Sequence, residues 1–347
     1  TASMKTTEGQ PLVLRWAKAL RHIAENITVY VDDRQLIAGR CGTDRGRYGI
    51  LYPELDGDFM GESMNSLAQR ASAPIHADPE DVRIVIEEIS PYWQGKTFHE
   101  DLIRTLPDDA KHLAYNDEKG HSTRFICSET ASYRSSQQWV LDYAKVINRG
   151  FASIRAEAKE RLDALDALSP TDMLRKKPFL EAVIITCDAI VTWARRHAVL
   201  AREKAAREQN PDRVRELLQI AEHCERVPEF PARTFHEAIQ AQWFAQAFSR
   251  LEQRTGTIIS NGRMDQYLYP LFRKDKEEGR LSDEQALELF DCLWLNMAQF
   301  TDLSLSAGGA ATQEGYAHWE AVTIGGQTPE GADATNELTY LILESRR

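Results

Sequence analysis

The sequence lacks any apolar run approaching the roughly 18 residues that would mark a membrane-spanning helix. Its longest apolar pieces, such as Ala182–Cys187, stop far short of that. It also lacks basic excess. Forty-two Lys and Arg stand against 53 Asp and Glu, a formal net charge of −11, which argues against a nucleic-acid or anionic-membrane surface. The opening Thr-Ala-Ser-Met-Lys has no apolar core of a secretory signal, so a cytoplasmic location is expected. Asn26-Ile27-Thr28 then reads as a chance sequon. Cysteine is sparse: Cys41, Cys127, Cys187, Cys224 and Cys292 are far apart, with no pair at zinc or iron–sulfur spacing. They read as reduced, buried apolar residues. The nine histidines do not pair at metal spacing. There is no Gly-x-Gly-x-x-Gly, Walker loop, Gly-x-Ser-x-Gly or His-Glu-x-x-His, which argues against the standard nucleotide-binding, serine-hydrolase and zinc-hydrolase classes.

Helical periodicity dominates what is present. Leu12–Asn26 predicts an amphipathic helix, and Thr28–Gly39 a strand and turn. Residues 40–64 read as a long irregular segment of the functional or interface-packing kind. Gln138–Leu168 reads as one long helix, ended by Ser169-Pro170. Leu180–Glu208 predicts a second helix, and Asn210-Pro211 caps a third running to Cys224. Thr234–Leu251 is apolar on most sides and is expected to be deeply buried. Ser282-Asp-Glu-Gln285 is a capping box opening a helix to about Phe300. Val322–Ile324 reads as a short strand stopped by Gly325-Gly326, and a helix from Asn336 is expected to run to Arg347 without a cap, as in a truncated chain. Paired acids such as Asp32-Asp33 and Glu87-Glu88 read as turn and helix-surface charges. Many helices with late, helix-separated strands predict an α/β architecture whose sheet is mostly still to come.

Four runs carry more. These are Thr7-Glu-Gly-Gln-Pro11, Pro231-Ala-Arg-Thr-Phe-His-Glu-Ala238, Asn261-Gly-Arg-Met-Asp-Gln-Tyr-Leu-Tyr-Pro270, and Thr323 through Tyr340 with its Ile-Gly-Gly turn and Asn-Glu-Leu-Thr-Tyr helix start. In this order they resemble the glycyl radical enzymes of the glycerol dehydratase and choline lyase type. The resemblance implies that residues 1–347 are the helix-rich N-terminal portion of a ten-stranded α/β barrel, a partial pyruvate formate-lyase-type domain. The family's Gly-Cys-x-Glu loop and glycyl loop are not in the sequence. The thiyl cysteine, its glutamate and the glycyl residue are expected beyond Arg347, and some tens of residues before the Thr-Glu-Gly run.

Diol-dehydratase members carry a histidine where Gln138 stands and Gly-His-Ser where Gly256-Thr257-Ile258 stands. A polyol would lose hydrogen-bond partners there, each worth on the order of 1 kcal/mol. In their place is Arg134, four residues before Gln138; on a helix or its first turn, that spacing puts both on one face. A guanidinium suits a permanent oxyanion. With Trp319 ahead of the Ile324-Gly-Gly strand as an apolar wall, the pattern is similar to the isethionate-cleaving branch of the family. The resemblance implies a carbon–sulfur lyase with Arg134, Gln138, Trp319, Thr257 and Ile258 as substrate-binding residues; the alternatives are another glycyl radical lyase or dehydratase acting on a different small hydroxylated substrate, or a non-catalytic fragment. Arg263, Asp265 and Gln266 read instead as a structural network holding the barrel.

The resemblance implies no bound cofactor. It implies a glycyl radical installed by an S-adenosylmethionine-dependent activating enzyme with an iron–sulfur cluster. The other expected partners are a small sulfonate substrate and, in the full-length protein, a second copy in a homodimer; neither nucleic acid nor membrane is expected. The setting implied is the cytoplasm of an anaerobic bacterium, with a microcompartment as an alternative. Residues 1–347 alone, a half-barrel with open strand edges, are expected to be inactive and poorly soluble. A monomeric fragment with a cooperative melt would contradict that.

Overall fold

The computed structural model describes residues 1–41, 48–54, 64–69, 74, 76–109, 138–252, 258–302 and 321–346. Helix α1 (Leu12–Asn26) matches its periodicity, burying Ala17, Leu20 and Ala24. It lies against α3 (Lys177–Ala205), the longest described helix, whose buried face is rich in alanine (Ala182, Ala189, Ala194, Ala198, Ala201). Small side chains let helix axes approach closely. Between these come α2 (Tyr143–Asp163), started by Asp142, which accepts from Lys145 N at 3.0 Å, and after them α4 (Pro211–Arg226), capped by Asn210.

Helix α5 (Phe235–Glu252) is the hub. Every residue from Ala238 to Phe248 is buried, and it touches α1, α2, α3, α4, β5 (Ile258–Ser260) and the later helices α7 (Tyr269–Glu277) and α8 (Asp283–Ala298). Its Phe235 and Phe244 are fully enclosed, each contributing on the order of 2 kcal/mol. The Ser282–Gln285 capping box opens α8 as expected. The last helix, α9 (Glu337–Glu344), begins at an Asn336–Thr339 capping box and ends at Ser345, whose hydroxyl accepts from Trp294 Nε1 at 2.9 Å. The Ser345 hydroxyl also donates to Ile342 O at 2.9 Å, so the helix is capped there, where the sequence pattern suggested an uncapped run.

The described strands form pairs. β1 (Val29–Tyr30) is antiparallel to β2 (Arg40–Cys41). Three parallel pairs follow: β3 (Tyr48–Ile50) with β7 (Phe300–Asp302), β4 (Gln138–Val140) with β5, and β6 (Gly262–Arg263) with β8 (Val322–Thr323). Parallel partners separated by helices are the α/β arrangement expected from the sequence.

Two expectations are corrected. Gln138–Leu168 is not one helix. Its first three residues are a strand paired with Ile258–Ser260, and the helix starts only at Tyr143. Parallel pairing outweighs the local helical pattern. The helix is also interrupted at Gly150 (φ 70°, ψ 163°), where residues 228–232 wedge in: Phe151 N donates to Pro228 O, Ala152 N to Glu229 O and Ala232 N to Ile147 O, each at 2.9 Å. The second correction concerns Thr28–Gly39, where only Val29–Tyr30 is strand. Residues 31–38 are irregular, and long side chains take their backbone groups. Lys204 Nζ donates to Val31 O (2.7 Å), Arg213 to Asp32 O and Gln35 O, and Gln240 both donates to and accepts from Ala38 (2.7 Å each).

Two outcomes follow from this packing. A Cβ on Gly150 would sit 2.3 Å from Glu229 O at a positive φ, so Gly150→Ala should destabilise by more than about 2 kcal/mol in urea unfolding. His223 and His236 stack edge to face at 4.3 Å. Burial foremost, with Arg233 for His223 and the neighbouring ring for His236, holds both well below the ordinary 6.5. The unfolded chain then binds more protons once pH falls below about 6.5. The urea midpoint should be full at pH 7 and fall by pH 5.

Candidate functional site

The junction between β5 and β6 is the best-defined feature near the sequence-predicted residues. Here the strand breaks at Asn261, β6 opens on Gly262 (φ 62°), and a Cβ on Gly262 would lie 2.7 Å from Val140 Cγ1. Three consecutive carbonyls are each taken by a side chain. Gln246 Nε2 donates to Ile259 O (2.7 Å), Tyr143 OH to Ser260 O (3.2 Å) and Tyr267 OH to Asn261 O (2.9 Å). The two tyrosine rings lie 5.5 Å apart. Burial first, then the nearby Tyr143 and Asp265, pushes the Tyr267 phenol well above its ordinary range; it stays protonated and able to donate. On the other side Asn261 N donates to Ala321 O (3.1 Å) and Ala321 N to Ser260 Oγ (3.2 Å), tying the break to the segment ahead of β8.

Arg263, Asp265 and Gln266 continue this frame, in the structural role read from the sequence. Asp265 is fully buried. Its Oδ2 accepts from Gly325 N (2.7 Å) and Thr339 Oγ1 (2.6 Å), and its carbonyl from Asn336 Nδ2 (3.0 Å). Arg263 donates to Gly325 O and Gln327 O, and Gln266 to Ala334 O. The short α6 (Met264–Tyr267) is thereby bolted to the glycine turn after β8 and to the start of α9.

Against this frame the candidate pocket residues can be placed. Gln138 and Ile258 are described by their backbones: they are direct register partners, the first residues of β4 and β5. The structure thus brings together two positions 120 residues apart in sequence. The spacing argument that put Gln138 on a helical face with Arg134 does not hold, because Gln138 lies in a strand. Arg134, Thr257 and Trp319 lie outside the described residues. In sequence they stand four before Gln138, one before Ile258 and two before Ala321.

The sequence reading missed Tyr143, Gln246, Asn261 and Tyr267. The available signal was Gln240, Gln242 and Gln246 in the otherwise apolar stretch from Ala238 to Phe248; all three are fully buried. Among the described residues no group of three or more His, Cys, Asp or Glu could hold a metal, and no helix is long and apolar enough to cross a membrane. Cys187, Cys224 and Cys292 are free and buried inside helices, as expected. Desolvation raises all three thiols, Cys187 to about 11. Cys127 lies outside the described residues, and Cys41 is described by its backbone.

A pyruvate formate lyase-like family model matches residues 1–347. The chain belongs to the pyruvate formate lyase-like family. It is 62% identical over 347 residues to isethionate sulfite-lyase of Nitratidesulfovibrio vulgaris, covering 100% of this chain and 42% of that protein. Among solved structures it resembles the glycerol-bound form of the B12-independent glycerol dehydratase from Clostridium butyricum (TM-score 0.89, 32% identity, 99% of this chain and 42% of that one). It also resembles a glycyl radical enzyme from Archaeoglobus fulgidus (TM-score 0.85, 34% identity, 99% and 43%). The chain therefore spans less than half the length of these relatives. The helix-rich α/β fold is that of this stretch of the glycyl radical enzymes.

Two measurements check this frame. Asp265→Ala, which orphans two buried donors, should cost about 3 kcal/mol or more, and Asp265→Asn, which keeps an acceptor, distinctly less, by denaturant unfolding. Cys187, Cys224 and Cys292 should resist a thiol reagent at neutral pH until denaturant is added, as mass spectrometry would show.

Proposed function

We propose that the full-length protein is a glycyl radical carbon–sulfur lyase that cleaves isethionate to acetaldehyde and sulfite, and that residues 1–347 are part of its pyruvate formate-lyase-type domain and supply the sulfonate side of the pocket. The observation carrying this is the 62% identity to isethionate sulfite-lyase across the whole chain, about twice that to the glycerol dehydratase. The backbone pairing of Gln138 with Ile258 supports it, since it joins two of the positions at which this sequence departs from the diol-dehydratase pattern.

In this reading Arg134 and Gln138 hold the sulfonate, the guanidinium as a permanent planar donor. Trp319, Thr257 and Ile258 close an apolar wall around the two-carbon skeleton. The radical machinery would lie elsewhere. Cys187, Cys224 and Cys292, enclosed within helices, do not fit a thiol that must meet substrate. A glycyl radical, installed by an S-adenosylmethionine-dependent activating enzyme, would generate the thiyl that removes hydrogen from the hydroxyl-bearing carbon. The hydroxyl proton passes to a glutamate, and the carbon–sulfur bond breaks with its electron pair on sulfite. The remaining carbon radical regains hydrogen from the thiol. The chain's own part is positioning and exclusion of water. A homodimer in the cytoplasm or a microcompartment suits this reading.

The test is Arg134→Ala in the full-length protein under strict anaerobiosis. Sulfite release should be lost while the glycyl radical signal survives. Undiminished sulfite release by the variant would end the assignment of Arg134. Dehydration without sulfite release by the unmodified protein would end the assignment of the reaction.

A further inference from the structure

Gln246 sits fully buried on α5, where an apolar side chain of similar size would fill the same volume. Burying an amide costs free energy unless its bonds are made. Its bonds here all converge on one place. Nε2 donates to Ile259 O at 2.7 Å and lies 3.5 Å from Asn261 Oδ1, while Oε1 accepts from Asn261 Nδ2 at 3.2 Å and from Gln242 Nε2 at 3.0 Å. Gln242, one turn back and equally buried, orients it. The phenols of Tyr143 and Tyr267 take one carbonyl each. The Gln246 amide bonds both the carbonyl of Ile259 within β5 and the side chain of Asn261, the residue at which the strand bends.

Ile259 is the register partner of Trp139, and Ile258 that of Gln138. Fixing Ile259 O against α5 therefore fixes where the first residues of both strands stand. We propose that Gln246 is a positioning residue for the substrate pocket: its buried amide, braced by Gln242, sets the bend at Asn261 and through it the placement of Gln138 and Ile258. This rests on the reading of those two residues as pocket residues. A displacement of about 1 Å in such a frame can cost about two orders of magnitude in kcat/KM.

The test uses the full-length, activated protein with Gln246→Leu and Gln246→Glu. In Gln246→Leu the KM for isethionate should rise about tenfold or more, with kcat falling less and the glycyl radical signal unchanged. Amide hydrogen exchange across residues 258–263 should accelerate with and without substrate. Gln246→Glu should approach normal KM at the acid end of the working pH range, where a neutral carboxyl can donate to Ile259 O and accept from Asn261. It should lose that as pH rises and the donor is lost. Gln246→Leu with KM and kcat within twofold of normal, whatever its melting temperature, would overturn the proposal. If Gln246→Leu does not fold, the Gln246→Glu profile decides, and a pH dependence identical to that of the unmodified protein overturns it. If the unmodified protein releases no sulfite, the lyase reading falls while exchange at residues 258–263 still decides this one: unchanged exchange in the variants overturns it.

Discussion

A buried carbonyl that is not in a ladder or helix must find a donor, and that constraint organises this structure. At the end of β5 the two-stranded ladder stops at a buried Asn261, and the carbonyls of Ile259, Ser260 and Asn261 are met by side chains. Gln246, Tyr143 and Tyr267 supply three donors from three different helices. Because each donor belongs to a separate element, the break also locks α2, α5 and α6 to one another. Remove the break and these helices lose their common point of reference.

The same solution appears further back along α5. Residues 31–38 run without strand neighbours, dipping into the core at Val31, Gln35, Ile37 and Ala38, and Lys204, Arg213, His236 and Gln240 bond their backbone. Gln240 acts there as a one-residue strand, meeting both the N–H and the carbonyl of Ala38. One helix thus organises irregular backbone in two places with side-chain amides, while its Phe and Trp residues supply the apolar burial. Buried amides of this kind specify register; apolar contacts alone would leave the segments free to slide.

Much of this was legible in the sequence where local rules act. Leu12–Asn26, the Asn210-Pro211 start, the Ser282–Gln285 box and the burial of α5 follow from spacing and capping. The structural role of Arg263, Asp265 and Gln266 was legible too. Legibility ends where a distant partner decides. Gln138-Trp139-Val140 reads as helix until Ile258–Ser260 lies beside it, and Gly150 is unremarkable until residues 228–232 press on it. Nothing beside Gln246 in sequence marks its role, because the carbonyl it meets is set by the strand break and not by its neighbours.

The parallel pairs have a consequence for how the chain reaches this state. Tyr48 pairs with Phe300, Gln138 with Ile258 and Gly262 with Val322, so each ladder closes a long loop before any bond repays the lost entropy. Helix pairs adjacent in sequence, such as α3 with α4, need no such closure. Contact order therefore places neighbouring helix pairs such as α3 with α4 early and the ladders late, together with the docking of α1 on the distant α3. Until the ladders form, the strand segments have unpaired edges and can pair with other chains. The folding hazard of this architecture lies in the interval between those two events.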